Sequence, residues 1–408
     1  MSLSFTVQRK AVELVMPAGL TPRELKRLSD IDDQDGLRFH IPVIQFYRHD
    51  ASMCGKDPAA VVRDAVAKAL VHYYPFAGRL RELEGRKLAV DCTGEGVLFI
   101  EANADVSLKH FGDALQPPFP GLEDLIFDVP SSSEVLGTPL VLFQVNLTFC
   151  NVKNLSSSLP WLRARGATVP SVRPVWGRDL LDARNPPRPA FVHRAYDEVP
   201  YTKGTIRPLS DMVHRSFFLG TRDVAAIQSH LPRGLREHAT TFEVLTGCVW
   251  KCRTAALAPD AEEEMRMICI VNARGGRASI RSGYDGNAFA LQATGDLCAN
   301  PLSYAVQLVK VAKGVVNTEY MRSVTDLLVQ CGQPHFTLVR TYLTSDVTKG
   351  GVDAIPGVVS FQVPCRNANG EDGIVIPMCL PGPAVDKFWE EMGKLLHSAM
   401  LKPALRIS

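Results

Sequence analysis

The chain has 408 residues, of which 46% are hydrophobic, 22% charged and 8% aromatic, a composition typical of globular proteins. Its 45 basic and 43 acidic residues leave a net charge of +2, which excludes binding to nucleic acids or anionic membranes through bulk charge. The length exceeds what one hydrophobic core usually fills, so two domains are expected. The ten cysteines form no C-x-x-C pair, and this predicts a reduced, cytosolic protein without a metal site. No apolar run reaches the roughly 20 residues of a membrane span.

Helices and strands alternate along the first half of the chain, the order typical of an α/β fold. Residues 41–49 (IPVIQFYRH) predict a strand. Asp57-Pro58 predicts the start of a helix, because Asp caps free N–H groups and Pro fits the first turn. Residues 86–102 predict a β-hairpin with a Thr-Gly-Glu-Gly turn. Residues 138–149 (TPLVLFQVNLTF) predict a buried strand.

Residues 173–210 differ in character, since they are crowded with Pro and charge and show little periodicity. They predict a long crossover linker between an N-terminal domain, residues 1–172, and a C-terminal domain, residues 211–408. In the second domain, Thr-Thr-Phe-Glu at 240–243 is a capping box and predicts the start of a helix. Residues 265–275 predict a buried strand.

The remaining elements of the second half follow from the same signals. Asn300 and Thr318 are predicted to cap two helices, the first of which ends at Gly314. Residues 358–364 and 372–380 predict strands, because both are rich in β-branched and apolar side chains.

Several stretches resemble the plant BAHD acyltransferase family: HYYPFAGRL (72–80), VDCTGEGVLFIEA (90–102), FEVLTGCVWKCRT (242–254) and SGYDGNAFA (282–290). The resemblance runs in order from about residue 5 to about residue 398. Within the family, the chain is most similar to the benzyl alcohol O-benzoyltransferase-like branch.

The resemblance implies a fold and an activity. The fold would be α/β, with two chloramphenicol-acetyltransferase-like domains, each a mixed β-sheet with helices, joined by a long crossover loop. The activity would be transfer of an acyl group from acyl-CoA to a small alcohol. We expect acyl-CoA as co-substrate with no other cofactor, a cytoplasmic monomer, and no nucleic-acid or membrane partner.

Two motifs of the family are missing from this chain. In the family, His-x-x-x-Asp-Gly supplies the general base and Asp-Phe-Gly-Trp-Gly shapes the second domain. Here residues 146–170 contain neither His nor Asp, and no Phe-Gly-Trp follows Asp353. We therefore assign no catalytic residue and expect an inactive or impaired enzyme. The alternatives are a non-catalytic CoA- or ligand-binding remnant, or the product of a pseudogene or of faulty splicing.

One stretch, HRAYD at 193–197, still places an Asp four residues after a His. A general base must project from rigid structure into a site. His193 has PPRPAFV before it and no Gly follows Asp197. We therefore interpret HRAYD as a solvated loop without a catalytic role.

The ligand-binding residues of the family have candidate counterparts. An arginine after the strand at 265–275 could reach a phosphate, the turn at 282–287 matches a family turn, and a Ser-Phe pair lies where the pantetheine arm passes in relatives. An internal salt bridge of the arginine, or plain strand packing of the Ser-Phe pair, would explain the same residues. The candidates for substrate or CoA binding are Arg274, Arg277, Tyr284, Asn287, Ser360 and Phe361.

Overall fold

The computed structural model describes residues 4–34, 37–38, 40, 54–111, 122–126, 135–148, 170, 172–197, 211–259, 265–274, 278–294, 300–331, 341–346, 359–367 and 369–396. The chain divides into two compact units. Unit 1 comprises Met1–Gly112, Phe119–Asn185 and Ile280–Asn287, and unit 2 comprises Asp113–Pro118, Pro186–Ser279 and Ala288–Ser408. The predicted domain boundaries at 172 and 210 stay predictions. The strand predicted at 41–49 lies outside the described residues.

The described strands of unit 1 form two sheets. The strands are β1 Val7–Arg9, β2 Glu13–Val15, β3 Leu25–Arg27, β4 Arg79–Glu82, β5 Leu88–Asp91, β6 Val97–Ala104 and β7 Leu142–Thr148. Strand β6 pairs antiparallel with β1 and β2 and parallel with β7, which makes the first sheet mixed. The second sheet has the order β3-β5-β4. Strand β7 is half-buried rather than buried.

The predicted hairpin at 86–102 is wrong, because β5 and β6 are consecutive strands of different sheets. The turn between them contains Gly94 and Gly96, with φ values of 72° and 97°. Residues other than glycine rarely adopt such φ values. A Cβ on Gly96 would lie 2.4 Å from the carbonyl oxygen of Val15. The turn therefore leads the chain from one sheet into the other instead of folding it back.

Helix α1, Pro58–His72, covers one face of the first sheet. The Asp57 side chain accepts a hydrogen bond from the N–H of Ala59 at 3.0 Å, which confirms the predicted cap. Val62 and Val66 pack against Phe99 of β6. Burial of each such side chain contributes roughly 1.5–3 kcal/mol. Two short helices, α2 Leu108–Phe111 and α3 Leu122–Leu125, also belong to unit 1.

Unit 2 is built on one six-stranded sheet with the order β10-β9-β11-β12-β13-β8. The strands are β8 Met212–Gly220, β9 Arg266–Asn272, β10 Phe289–Thr294, β11 Thr341–Asp346, β12 Val359–Arg366 and β13 Asp372–Pro381. Strand β11 pairs parallel with β9 and β12, and the other pairs are antiparallel. Both units thus carry a mixed sheet with helices, which confirms the predicted fold class.

The helices of unit 2 are α4 Thr221–Ser229, α5 Arg233–His238, α6 Thr241–Leu257, α7 Leu302–Val315, α8 Thr318–Gln330 and α9 Gly382–Leu395. The predicted capping box of α6 is confirmed, because Thr240 and Glu243 exchange hydrogen bonds at 2.9 and 3.3 Å. Three other predicted helix ends were wrong. Helix α7 has Pro301 rather than Asn300 at its N-cap, without a side-chain hydrogen bond, and it continues one residue beyond Gly314. Helix α8 is capped by Asn317 rather than Thr318, and the Asn317 side chain accepts the N–H of Tyr320.

Candidate functional site

The turn that carries Tyr284 and Asn287 belongs to unit 1, although the sequence places it between two strands of unit 2. The N–H of Val175 donates to the carbonyl of Gly283 at 2.8 Å, and Tyr284 forms a β-bridge with Val175. Gly283 has a φ of +85°, and a Cβ there would lie 2.2 Å from the carbonyl oxygen of Arg173. The close approach of two backbones therefore requires this glycine.

Arg178 is the residue that fixes this turn, and the sequence analysis missed it. Its Nη1 donates to Asp285 Oδ1 at 2.8 Å, and its Nε forms an ion pair with Asp32 Oδ2 at 3.0 Å. The exposed fractions of the three side chains are 9%, 10% and 7%, in the order Arg178, Asp285 and Asp32. The other oxygen of Asp32 accepts the backbone N–H of Asn287 at 2.8 Å. One buried cation therefore joins three separate stretches of the chain.

Aromatic rings extend this cluster. The guanidinium carbon of Arg178 lies 3.9 Å from the ring centre of Trp176 and 4.9 Å from that of Tyr284. Lys26 Nζ lies 5.0 Å from Trp176 and 5.5 Å from Tyr74. Each cation–π contact is worth about 0.5–2 kcal/mol. The cation–π contacts thus form one continuous series in unit 1, which consists of Tyr74, Lys26, Trp176, Arg178 and Tyr284.

Tyr284 is a buried side chain, 6% exposed. Burial, together with the charge of Asp32, raises the pKa of the Tyr284 phenol to about 12. The phenol is therefore neutral at any physiological pH. Asn287 is exposed at the end of the same turn. Unit 1 thus brings Tyr284 and Asn287 together, and their predicted binding role stays a prediction.

Ser360 and Phe361 lie on strand β12 of unit 2, and as neighbours they point to opposite faces of the sheet. Ser360 is 2% exposed, and its Oγ donates to the carbonyl of Pro377 at 2.6 Å. The hydroxyl proton of Ser360 is therefore engaged within the sheet. Phe361 is half-buried. Of the two, Phe361 is the one with accessible surface.

The two candidate arginines follow strand β9. Arg274 is exposed, and its backbone N–H donates to Asn272 Oδ1 at 2.9 Å. Arg277 lies outside the described residues. Nearly all of residues 146–170, the region in which the family motif was expected, also lie outside the described residues. Strand β7 is described as far as Thr148. The predicted role of both arginines stays a prediction.

The interpretation of HRAYD as a solvated loop is wrong. Arg194–Tyr196 form a 3-10 turn, and His193 is only 4% exposed. The imidazole ring packs 4.7 Å from the ring centre of Tyr320 in helix α8, and Nε2 lies 2.7 Å from Ser323 Oγ. Burial lowers the pKa of His193 to about 4. This burial could not be predicted from local patterns, because the residues around His193 show neither helical nor strand periodicity.

Two further properties bear on possible sites. The described residues contain no group of three or more His, Cys, Asp or Glu side chains placed to hold a metal ion. Among the helices that the structure describes, none combines the length and apolar character that a membrane span requires.

The fold of this chain, with a mixed sheet and helices in each unit, is similar to that of the crystal structure of vinorine synthase. This chain matches it with a TM-score of 0.68 at 15% identity, over 96% of this chain and 98% of that one. The model of the Transferase family matches residues 5–150 and 159–360. The chain therefore belongs to this family, the BAHD acyltransferases.

Two relatives share more than half of their aligned residues with this chain. The benzyl alcohol O-benzoyltransferase of Petunia hybrida is 54% identical, over 97% of this chain and 94% of that protein. The enzyme of the same name from Nicotiana tabacum is 51% identical, over 99% and 98%. The Petunia alignment runs over 435 positions, more than the 408 residues of this chain, so part of that relative has no counterpart here. The family match is also interrupted at residues 151–158, within the stretch that lacks His and Asp.

Proposed function

We propose that this chain descends from enzymes that transfer an acyl group from acyl-CoA to an alcohol and form an ester. An aromatic donor such as benzoyl-CoA and an acceptor such as benzyl alcohol are the first pair to test. The supporting observation is the 54% identity, over 97% of this chain, to a protein named benzyl alcohol O-benzoyltransferase. A cytoplasmic location and a monomeric state belong to the same proposal.

We further infer that the transfer step is slow or absent in this chain. A hydroxyl is a poor nucleophile until a base removes its proton, and a positioned base typically contributes roughly 10²–10⁴-fold. Residues 146–170 hold no His that could act as that base. His193 is no substitute, because it is buried and its Nε2 is engaged with Ser323.

A second candidate function is binding of CoA or a related ligand without catalysis. It is favoured by the interruption of the family match at 151–158, while the match continues through 159–360. The part of the chain that carries five of the six candidate binding residues thus remains family-like, and Phe361 lies one residue beyond the match. A chain of this kind would hold its ligand and turn over little of it.

Single-turnover transfer from benzoyl-CoA and acetyl-CoA to benzyl alcohol tests both candidates, with the Petunia enzyme as positive control. Calorimetric titration with CoA runs beside it. Binding with transfer far below the control supports the non-catalytic candidate. Turnover of roughly 1 per second or more would refute the inference of slow transfer. No binding and no cooperative melt would refute both functions and favour a faulty gene product.

The variant His193→Gln is the matched control for HRAYD. Gln keeps a hydrogen-bond acceptor toward Ser323 but cannot act as a base. Any residual transfer should stay within a few-fold of the parent, whereas a drop of roughly 10²-fold or more would restore His193 as a catalytic candidate. Sequencing the transcript across the codons for 144–172 and 345–358 would decide whether the missing motifs are real.

A further inference from the structure

The segment that contains HRAYD is held on helix α8 by side chains of that helix. The N–H groups of Ala190 and Phe191 both donate to Ser323 Oγ, at 2.8 and 3.0 Å. The N–H of Arg188 donates to Asp326 Oδ2 at 2.9 Å. Ser323 and Asp326 are both fully buried. Two polar side chains on one face of α8 therefore accept hydrogen bonds from backbone N–H groups of residues 188–191.

The hydrogen bonds of Ser323 determine which nitrogen of His193 carries the proton. A hydroxyl oxygen has two lone pairs, and here they face the N–H groups of Ala190 and Phe191. The hydroxyl proton is then left for His193 Nε2, at 2.7 Å. Nε2 must accept, so the neutral ring carries its proton on Nδ1. Nδ1 is buried and has no hydrogen-bond partner among the described residues.

Protonation would disrupt this arrangement. A protonated imidazole presents an N–H on both nitrogens. The new N–H at Nε2 would face a hydroxyl whose oxygen already accepts two hydrogen bonds, so an attractive contact becomes a donor–donor conflict. The positive charge would also be buried, with His193 4% exposed.

The neighbouring ionisable groups do little to offset that cost. The backbone of Ser323, and to a smaller extent Asp197 on the same turn, favour the charged ring, but burial outweighs both and lowers the pKa of His193. Burial raises the pKa of the Tyr196 and Tyr320 phenols, so both stay neutral. The cation of Arg266 on strand β9 donates to the carbonyls of Arg194 and Asp197, at 3.3 and 3.2 Å. Arg266 therefore also holds the same turn.

We propose that His193 is an acid-sensitive docking contact. The neutral ring holds residues 186–197 on helix α8, and protonation of the ring releases them from Ser323. The sign follows from the ring's preference for the neutral form when docked. Docking is strongest above the ordinary His pKa of 6.5 and weakens as the pH falls from there toward about 4, where the docked ring itself takes up a proton.

Hydrogen exchange of the full chain, followed by mass spectrometry on peptides covering 186–197, measures the docking directly. Rates are corrected for the intrinsic effect of pH on exchange. From pH 7.5 to pH 5.0 the opening constant of the Arg188, Ala190 and Phe191 amides should rise roughly 30-fold. A change of less than about three-fold after this correction would overturn the proposal.

Two variants separate titration of His193 from general acid effects. His193→Gln retains an acceptor for the Ser323 hydroxyl and should remove the pH dependence of these amides. His238→Gln, at an exposed position of helix α5, should leave it unchanged. Persistence of the full pH dependence in His193→Gln would contradict the proposal.

A spectroscopic measurement on the unaltered chain covers the case in which His193→Gln does not fold. Nitrogen-15 labelling of histidine distinguishes the two neutral tautomers by NMR, and His193 should be protonated on Nδ1 at pH 7.5. A proton on Nε2 would mean that Ser323 does not donate to the ring, and the proposed docking contact would be refuted.

Discussion

Replacement of Arg178 by Met should destabilise unit 1 more than any exposed charge substitution. Arg178 is 9% exposed and neutralises Asp32 and Asp285, which are 7% and 10% exposed. Met keeps much of the apolar stem but removes the cation, so both carboxylates stay buried without it. Loss of one partner from a buried ion pair typically costs about 3–5 kcal/mol. We expect a decrease of that size in the free energy of unfolding.

Urea unfolding followed by tryptophan fluorescence measures this change, because Trp176 lies against the Arg178 guanidinium. The matched control is Arg366→Met, which removes an Arg–Asp pair whose side chains are 66% and 68% exposed. That variant should unfold at nearly the parent urea concentration. Adding Asp285→Asn to Arg178→Met should recover part of the loss. A loss below about 1 kcal/mol in Arg178→Met would refute the assignment of Arg178 as the anchor of the turn.

Three further predictions concern a helix cap, a buried carboxylate and the cysteines. Thr240→Ala should lower the free energy of unfolding by about 1 kcal/mol, because Thr240 Oγ accepts the N–H of Glu243; an unchanged urea midpoint would contradict this. Burial opposes ionisation of Glu243, but the Thr240 N–H and Lys313 outweigh it and lower its pKa. Stability should therefore fall below pH 4.5, and less so in Glu243→Gln. Iodoacetamide at pH 8 should label exposed Cys54 but spare Cys269, whose pKa burial raises to about 12; labelling of Cys269 in the folded protein would refute its burial.

Sequence reasoning succeeded where a structural feature depends on neighbours along the chain. The cap at Asp57 and the capping box at Thr240 and Glu243 both involve residues within three positions of each other. Their hydrogen bonds satisfy free N–H groups of the first turn, so the residue types alone are informative. The family resemblance supplied the two mixed sheets, which local patterns could not have specified.

Sequence reasoning failed where the partner is distant. The strands at 88–91 and 97–104 look like a hairpin locally, but each pairs with strands elsewhere in unit 1. Arg178 meets Asp285 across 107 positions, and His193 meets Ser323 across 130. A polar residue in a Pro-rich stretch resembles a solvated one until its partner is known. Such pairs are set by tertiary packing, which a single sequence does not reveal.

The inclusion of residues 280–287 in unit 1 has a consequence for synthesis on the ribosome. The other segments of unit 1 are complete at Asn185, but the turn that supplies Asp285 to Arg178 emerges roughly 100 residues later. At a synthesis rate of 5–20 residues per second, unit 1 remains incomplete for roughly 5–20 s. During that interval Arg178 lacks one of its two carboxylates. A fragment that ends before residue 280 remains in this unfinished state, so the N-terminal half should not be expected to fold as an independent protein.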